Sequence, residues 1–454
     1  MEANNDNNSS QNQSQQLEDE DRLSTLPDDI LLSILGRLSS RMAAKTSVLS
    51  TRWMHLPWLL PEISINAKEF LSVPCPDLDA NNMEELAMVS LTKATRNFLA
   101  GHQRESTISI LHLKLYLIST FLCEVGQLAG DAIDRGLLKD LDVTVLHETD
   151  IFHCSEENRM QRAQEIDSFF SAYPSVANSL TKLFLYNVGF DKLDMHHIVF
   201  NCCKQLKHLT LVNSDTGDNS LFRIDAPDSN LCVLDIYKCR FGRIEVVCLP
   251  KLEKFSWNTW FCEEYVPLTF GFVPSLGELE LTCGSSRYQC KFKLSEVLHG
   301  VTSIHTLTLN FQGENLWLQP EIEELFTAFN KLRKLSIHGM GTSMRYSVSP
   351  TQVPREEDTS VGNALDGSKN RRLKEIQFVG FKSLEQQFTF IRSVLERSPN
   401  LQKIVLIGDN PCKCCDVLEG SPRPSKFPKM KDEQEMVAKR IGCDTLSLEI
   451  IFKE

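Results

Sequence analysis

Cys412, Cys414 and Cys415 stand close together in the run NPCKCCD, with Cys443 well downstream. Thiolates are good structural zinc ligands, and four of them would make a tetrahedral site. The paired Cys-x-x-Cys spacing of such sites is missing, however, so free thiols are the stronger reading and no metal is expected. His196 and His197 lack a carboxylate arrangement that would make either a catalytic base, and a polar loop pair is expected there. Cys202-Cys203 reads as core or loop packing. The chain contains no phosphate-cradling glycine loop, His-Glu-x-x-His metal motif or nucleophile elbow. No cofactor or catalytic residue is therefore expected, and binding has to carry the function.

The bulk numbers agree with a binding role. At 454 residues the chain exceeds one ordinary domain, which implies several units or an elongated repeat array. Its 42% hydrophobic and 24% charged residues are those of a soluble globular protein. A formal charge of −12 argues against non-specific nucleic-acid binding, because no broad basic surface is available for phosphates. Residues 1–20 are rich in Asn, Gln and Ser and acidic, with almost nothing to bury, so a disordered tail is expected. The start lacks the basic and apolar regions of a signal peptide, and no apolar run long enough to span a membrane follows. The nucleus or cytoplasm is the expected location. The 15 cysteines then read mostly as small buried hydrophobes. The basic run KNRRLK is too short to serve as an import signal.

The densest apolar passage is LSTLPDDILLSILGRLSS, Leu23 to Ser40. Pro27 suits a helix first turn, and Asp28 and Asp29 place negative charge at its positive end. Ile30, Leu31, Ile34, Leu35 and Leu38 follow at helical spacing. RMAAKTSVLS and TRWMHLPWLLP supply further short helices with Val48, Leu49, Trp53 and Trp58. A unit this small with so much apolar surface hands part of it to something else, either another chain or the rest of this one. The order of these parts, DRLSTLPDDILLSILGRL, then TSVLSTRW, then LPWLLPEISI, resembles the F-box over residues 21–66. That resemblance implies a Skp-type adaptor as partner and, through it, a cullin. By the same resemblance Leu26, Pro27, Ile30, Leu31, Ile34 and Leu35 face the adaptor. Val48, Leu49 and Trp53 complete the adaptor-binding set at the edge of a three-helix packing. Two places depart from the motif: Leu38-Ser39 stands where Leu-Pro is usual, and in Leu56-Pro57-Trp58 the Trp comes one place late.

Beyond a helical linker at 67–105, the phrase L-x-x-L-x-L returns eleven times with apolar substitutions, from ISILHL at Ile108 to LQKIVL at Leu401. From Leu180 to Leu332 the starts are 21–28 residues apart, a leucine-rich-repeat spacing. A strand sends alternate residues to one face, and one unit cannot bury that face without stacked neighbours. The fold class expected is therefore α/β: a three-helix F-box, an irregular leucine-rich-repeat solenoid over 106–340, and a C-terminal α/β cap. The Asn or Cys usual after each strand is nearly absent, although Cys239 fits. The polar segment 341–372 reads as a mobile insertion. Residues 373–454, a strand–helix–strand pattern ending in LSLEIIF, resemble the FBD module of plant F-box proteins. Polar and aromatic residues between the apolar strand positions form a candidate recognition surface: Phe184, Tyr186, Asp235, Tyr237, Glu278, Glu280, Lys334 and His338.

Together these features imply a substrate-recruiting subunit of a Skp–cullin–F-box ubiquitin ligase with an unidentified target protein. A non-ligase leucine-rich-repeat scaffold with a diverged F-box is the alternative, and neither nucleic acid nor membrane is an expected partner.

Overall fold

The computed structural model describes residues 23, 25–71, 80–100, 106–146, 154–190, 193–217, 220–260, 267–283, 294–310, 331–338, 370–408, 427–442 and 448–453. The tail at 1–20, nearly all of the 341–372 insertion, and Cys412, Cys414, Cys415 and Cys443 lie outside them.

Three short helices come first: α1 (Asp28–Leu35), α2 (Ser40–Lys45) and α3 (Thr51–His55). Pro27 occupies the N-cap of α1, one place before the first turn expected for it. The Leu38-Ser39 departure does not blunt the helix end. Instead α1 stops at Leu35, and Ser39 caps α2 by accepting a hydrogen bond from the Met42 amide at 3.4 Å. Ser50 caps α3 in the same way, from the Trp53 amide at 3.3 Å. Leu31, Leu35, Ala43, Trp53, Leu56 and Leu60 close a small separate core.

The strands follow in chain order. They are β1 (Glu62–Asn66), β2 (Ile108–Leu115), β3 (Leu138–Val145), β4 (Leu180–Tyr186), β5 (His208–Val212) and β6 (Ser220–Asp225). Next come β7 (Val233–Tyr237), β8 (Phe241–Cys248), β9 (Lys254–Trp260), β10 (Leu268–Phe272) and β11 (Glu278–Cys283). The last are β12 (Thr306–Asn310), β13 (Lys334–His338), β14 (Glu375–Val379), β15 (Lys403–Ile407) and β16 (Glu449–Lys453). Thirteen of them form one parallel sheet in sequential order, skipping only β6, β8 and β10, which make a second parallel sheet of three. Every L-x-x-L-x-L phrase ends in a strand of the large sheet. In register its fourth positions stack as Leu209, Leu234, Phe255, Leu279, Leu307 and Leu335. Its sixth positions stack beside them as Leu211, Ile236, Trp257, Leu281, Leu309 and Ile337. Two continuous apolar ladders result, which is the core a solenoid needs.

Repeat length decides what returns along the outer side. Long spacings of 30 and 42 residues, from Ile108 to Leu138 to Leu180, hold helices α5 (Ser119–Asp134), α6 (Glu156–Ala172) and α7 (Pro174–Asn178). Across the shorter spacings of 21–25 residues, from Leu206 to Leu276, β6, β8 and β10 return as strands. Phe222 stacks on Phe241 at 4.8 Å within that outer sheet, and Phe270 meets Phe255 edge-on at 5.5 Å across the core. A short α8 (Leu294–Val297) follows, then α9 (Glu385–Arg397) and α10 (Lys431–Ile441) beside the last strands.

Three joins between the expected units are visible. β1, counted by the sequence with the F-box, is the first strand of the sheet and pairs with β2. The expected linker helix, α4 (Ala80–Ala100), contributes Met88, Leu91, Phe98 and Leu99 to the main core. In the C-terminal region β14, β15 and β16 continue the ladder in register.

Candidate interaction faces

The sequence expected nine residues of the helical unit to face a partner. Pro27, Ile30, Ile34, Val48 and Leu49 are exposed, and Leu26 is half-buried. Leu31, Leu35 and Trp53 point inward and hold the small core, so for them the outward-facing role is corrected to a supporting one. A stripe of apolar residues on α1 is wide enough for both tasks, with Leu31 and Leu35 inside and Ile30 and Ile34 outside. Sequence reasoning missed Met42, Met54 and Leu59, which lie exposed on the same unit. Leu38, read as part of the α1 stripe but not as a contact, is exposed too. Val48 is 87% exposed and Leu49 65% exposed, in the turn between α2 and α3. Exposed large apolar side chains are thus frequent on this small unit.

Arg52 fixes that unit. Its guanidinium holds the Asp28 carboxylate at 2.5 Å and the Leu26 carbonyl at 2.6 Å, tying α3 to the start of α1. The unit is also seated on the solenoid. The Ser64 amide of β1 donates to Ser40 Oγ at 2.9 Å, Trp58 packs on Phe98 of α4 at 5.1 Å, and Arg41 lies over Phe70 at 5.5 Å. The displaced Trp58 therefore serves the junction with the sheet.

The inner face of the large sheet carries the second set of candidates. Phe184 and Tyr186 on β4 are half-buried, and Tyr237 on β7 is 40% exposed with the Lys238 ammonium over its ring at 5.3 Å. Asp235 pairs with His208 at 3.0 Å, and Lys334 with Glu375 at 3.2 Å. His338 meets Ser336 Oγ at 3.1 Å, and burial, opposed by the Glu280 charge, pushes its pKa down. Glu278 is exposed and Glu280 half-buried. The candidates thus spread along the face at even steps of two strands, from β4 through β7 and β11 to β13.

Asp142 on β3 was not singled out in the sequence. His112 Nδ1 lies 2.8 Å from one carboxylate oxygen and Thr181 Oγ1 donates to the other at 2.8 Å. Burial opposes ionisation of Asp142, but the bonds from His112 and Thr181 and the charges of His112 and Lys182 outweigh it, holding the carboxyl below its ordinary 3.8. A lowered folded-state pKa stabilises the fold above the unfolded value and ceases to do so as pH falls through the folded one. The stability gap between the native chain and Asp142→Asn is therefore expected to be full at pH 7 and to close progressively below about pH 4, as read by urea unfolding at each pH.

Where the strands leave the inner face, a buried ionic cluster joins three repeats. Arg159 of α6 pairs with Asp215, which also binds Arg240 Nε at 3.0 Å and accepts from the Gly217 amide at 3.2 Å. Arg159 and Asp215 are 5% and 3% exposed. Asn187, Asn213 and Lys238, one at each of the three strand ends, take left-handed φ values of 56°, 48° and 50°. Asn213 donates to Asn187, and Ser214 bonds the Val188 amide and the Val212 carbonyl. Cys239, which fits the usual residue after the strand, accepts from the Ser214 amide at 3.4 Å.

The cysteines here are packing elements. Burial pushes the Cys239 thiol up to about 12 and the Cys203 thiol higher still, so neither forms a reactive thiolate near neutrality. Native chain treated with a thiol reagent is expected to label the exposed Cys123 and to leave Cys203 and Cys239 unmodified until denaturant is added, as read by peptide mass. His196 is more than a loop residue: its Nε2 lies 2.9 Å from the Asp225 carbonyl, against β6. Among the described residues no His, Cys, Asp and Glu group of three or more is arranged to hold a metal, and no helix is long and apolar enough to cross a membrane.

Comparison with known proteins fits these features. No family profile matches the chain. An F-box/FBD/LRR-repeat protein of Arabidopsis thaliana is 27% identical over 211 residues, 46% of this chain and 46% of that protein. An FBD-associated F-box protein from the same plant is 26% identical over 307 residues, covering 65% of this chain and 59% of its own length. Another F-box/FBD/LRR-repeat protein there is 44% identical over 59 residues, 13% of each chain. The chain spans about half the length of the curated relatives it matches, as the 46% and 48% shares show. Among solved structures, TLR13 in complex with ssRNA13 overlaps 79% of this chain and 48% of its own, with TM-score 0.37 and 14% identity. The leucine-rich-repeat protein LegL7 from Legionella pneumophila overlaps 85% of this chain and 99% of its own, with TM-score 0.33 and 14% identity. The repeat architecture itself rests on the parallel ladder described above. In sequence, the chain is a relative of the plant-type F-box/FBD/LRR-repeat proteins.

Proposed function

We propose that the chain is the substrate-recruiting subunit of a Skp–cullin–F-box ubiquitin ligase. The helical unit docks a Skp-type adaptor, and the repeats hold a target protein. The observation that carries this reading is the exposed apolar face of residues 23–59, above all Val48 and Leu49, in the stretch that resembles an F-box. Burying one such side chain is worth about 1.5–3 kcal/mol, so a few of them suffice for a stable contact. The chain supplies no chemistry to the ligase. It supplies proximity, raising the effective concentration of target lysines near the charged ubiquitin carrier. The packed junction at Ser40, Trp58 and Arg41 supports that role, since it holds the adaptor side and the target side in a defined relation.

The test is co-expression of the full chain with a Skp-type adaptor followed by size-exclusion chromatography. Co-elution as a stoichiometric complex is expected. A folded chain that elutes alone in the presence of excess adaptor would overturn the reading and leave a repeat scaffold.

A further inference from the structure

We propose that two copies of this chain join edge to edge through β16, antiparallel about a two-fold axis at Ile451. The surface is the open edge of the large sheet, and its occupant is the same edge of a second copy. This goes beyond the proposed function and does not depend on it.

The two edges of the large sheet differ. At one of them the helical unit covers β1, where Ser40 Oγ takes the Ser64 amide. At the other β16 is last in the order, and among the described residues no strand lies beyond it. The Glu449 amide donates to the Gln402 carbonyl, and the Lys453 carbonyl accepts from the Gly408 amide. Strand alternation then turns the backbone groups of Ile450 and Phe452 away from β15. The core is open there as well. Ile450 and Phe452 stand in register with the buried Ile404 and Leu406, yet are only half-buried themselves. With Gln434 and Ala438 of α10 they line a groove.

The strand's own sequence, EIIFK from Glu449 to Lys453, selects the occupant. Paired antiparallel with itself about Ile451, it sets Glu449 opposite Lys453 and Ile450 opposite Phe452, once on each side of the axis. The Ile450 and Phe452 pairs take the hydrogen-bonded positions, so the outward amides and carbonyls of both residues are all used. Their side chains meet over the open ends of both cores. Charged residues on an edge strand ordinarily discourage pairing. Here the two signs come face to face, which makes a favourable cross-strand pair.

The charges already on the sheet agree with this arrangement. Lys334, Glu375, Lys403 and Glu449 are successive register partners from β13 to β16, alternating in sign. Lys334 and Glu375 are paired at 3.2 Å. Lys453 of the second copy is the next residue in that row and continues the alternation. Within its own copy Lys453 stands in register with Ile407, an apolar neighbour. A parallel partner in register would instead set Glu449 against Glu449. The antiparallel pair is isologous and closed, so it stops at two copies. The helical units lie at the far ends, twelve strand intervals or about 58 Å of sheet from the axis, and stay free to dock an adaptor.

Sedimentation velocity of the full chain across roughly a hundredfold range of concentration reads the association. A monomer–dimer equilibrium is expected. Lys453→Glu sets carboxylates face to face at both ends of the pair, and Glu449→Lys does the same with ammonium groups. Each is expected to weaken the dimer about tenfold or more with an unchanged circular dichroism spectrum. Lys403 beside position 449 makes Lys453→Glu the cleaner of the two. An equal mixture of the two variants is expected to regain the dimer, because opposite charges then meet again across the axis. Ile451→Cys checks the register: a non-hydrogen-bonded antiparallel pair holds its Cα atoms about 4.5 Å apart, within disulfide reach. Mild oxidation is expected to link that variant into dimers beyond the level that the native cysteines give. A native chain that stays monomeric throughout, a dimer indifferent to both charge variants, or variants that do not recombine would overturn the proposal.

Discussion

A chain carrying both Val48→Asp and Leu49→Asp is expected to remain folded and to lose stable adaptor binding. Both side chains are largely exposed in the free protein, at 87% and 65%, so neither contributes packing to the helical core. Exposed replacements of this kind change stability by about 0.5 kcal/mol or less, and the melting temperature should stay within a few degrees of the native value. In a complex the arithmetic is different. Each lost apolar contact removes about 1.5–3 kcal/mol, and each new carboxylate must also be desolvated or left half-exposed at the interface. A loss of about 3–6 kcal/mol corresponds to roughly two to four orders of magnitude in affinity. Size-exclusion co-elution combined with a melting curve reads both halves. Retained binding would place the contact elsewhere, whereas a collapsed melting curve would show that the turn supports the fold.

Asp215→Ala is expected to be among the most destabilising single substitutions in the repeats. Removing the carboxylate leaves the Arg159 guanidinium 5% exposed with its charge uncompensated, and breaking one partner of a buried pair costs about 3–5 kcal/mol. The Arg240 contact and the Gly217 amide bond disappear with it. Urea unfolding should show a clearly lowered midpoint. Pairing Asp215→Leu with Arg159→Met removes both charges and should recover much of the loss, because the cost lies chiefly in the charge left behind. Equal destabilisation by the double and single variants would mean that the loops depend on the side chains' shape and not on their charges.

The ladder of the large sheet was legible because one requirement, alternate burial against a stacked neighbour, fixes the fourth and sixth positions of every repeat, and Leu209, Leu234 and Leu279 satisfy it directly. The outer sheet was harder to see. Phe222 and Ile224 alternate inward like any strand, but no L-x-x-L-x-L phrase marks them. On α1 the periodicity marks Ile30, Leu31, Ile34 and Leu35 alike. Which pair turns inward depends on where Trp53, Leu56 and Leu60 pack, and no pattern within the helix announces that. The Arg159–Asp215 pair spans 56 residues and joins different repeats, so no local pattern announces it. The same holds for Asp142, whose partners lie on the two neighbouring strands. Local periodicity thus specifies the scaffold, while the polar contacts that shape its faces arise only when distant repeats are stacked.

The most direct test of the central claim is isothermal titration of the full chain with a purified Skp-type adaptor at two temperatures. Docking through the exposed apolar face predicts saturable one-to-one binding with a negative heat-capacity change, the signature of apolar surface leaving water. Binding should also be abolished by the Val48→Asp, Leu49→Asp pair. No heat and no complex from a folded native chain at either temperature, with complex formation also absent by co-elution, would contradict it.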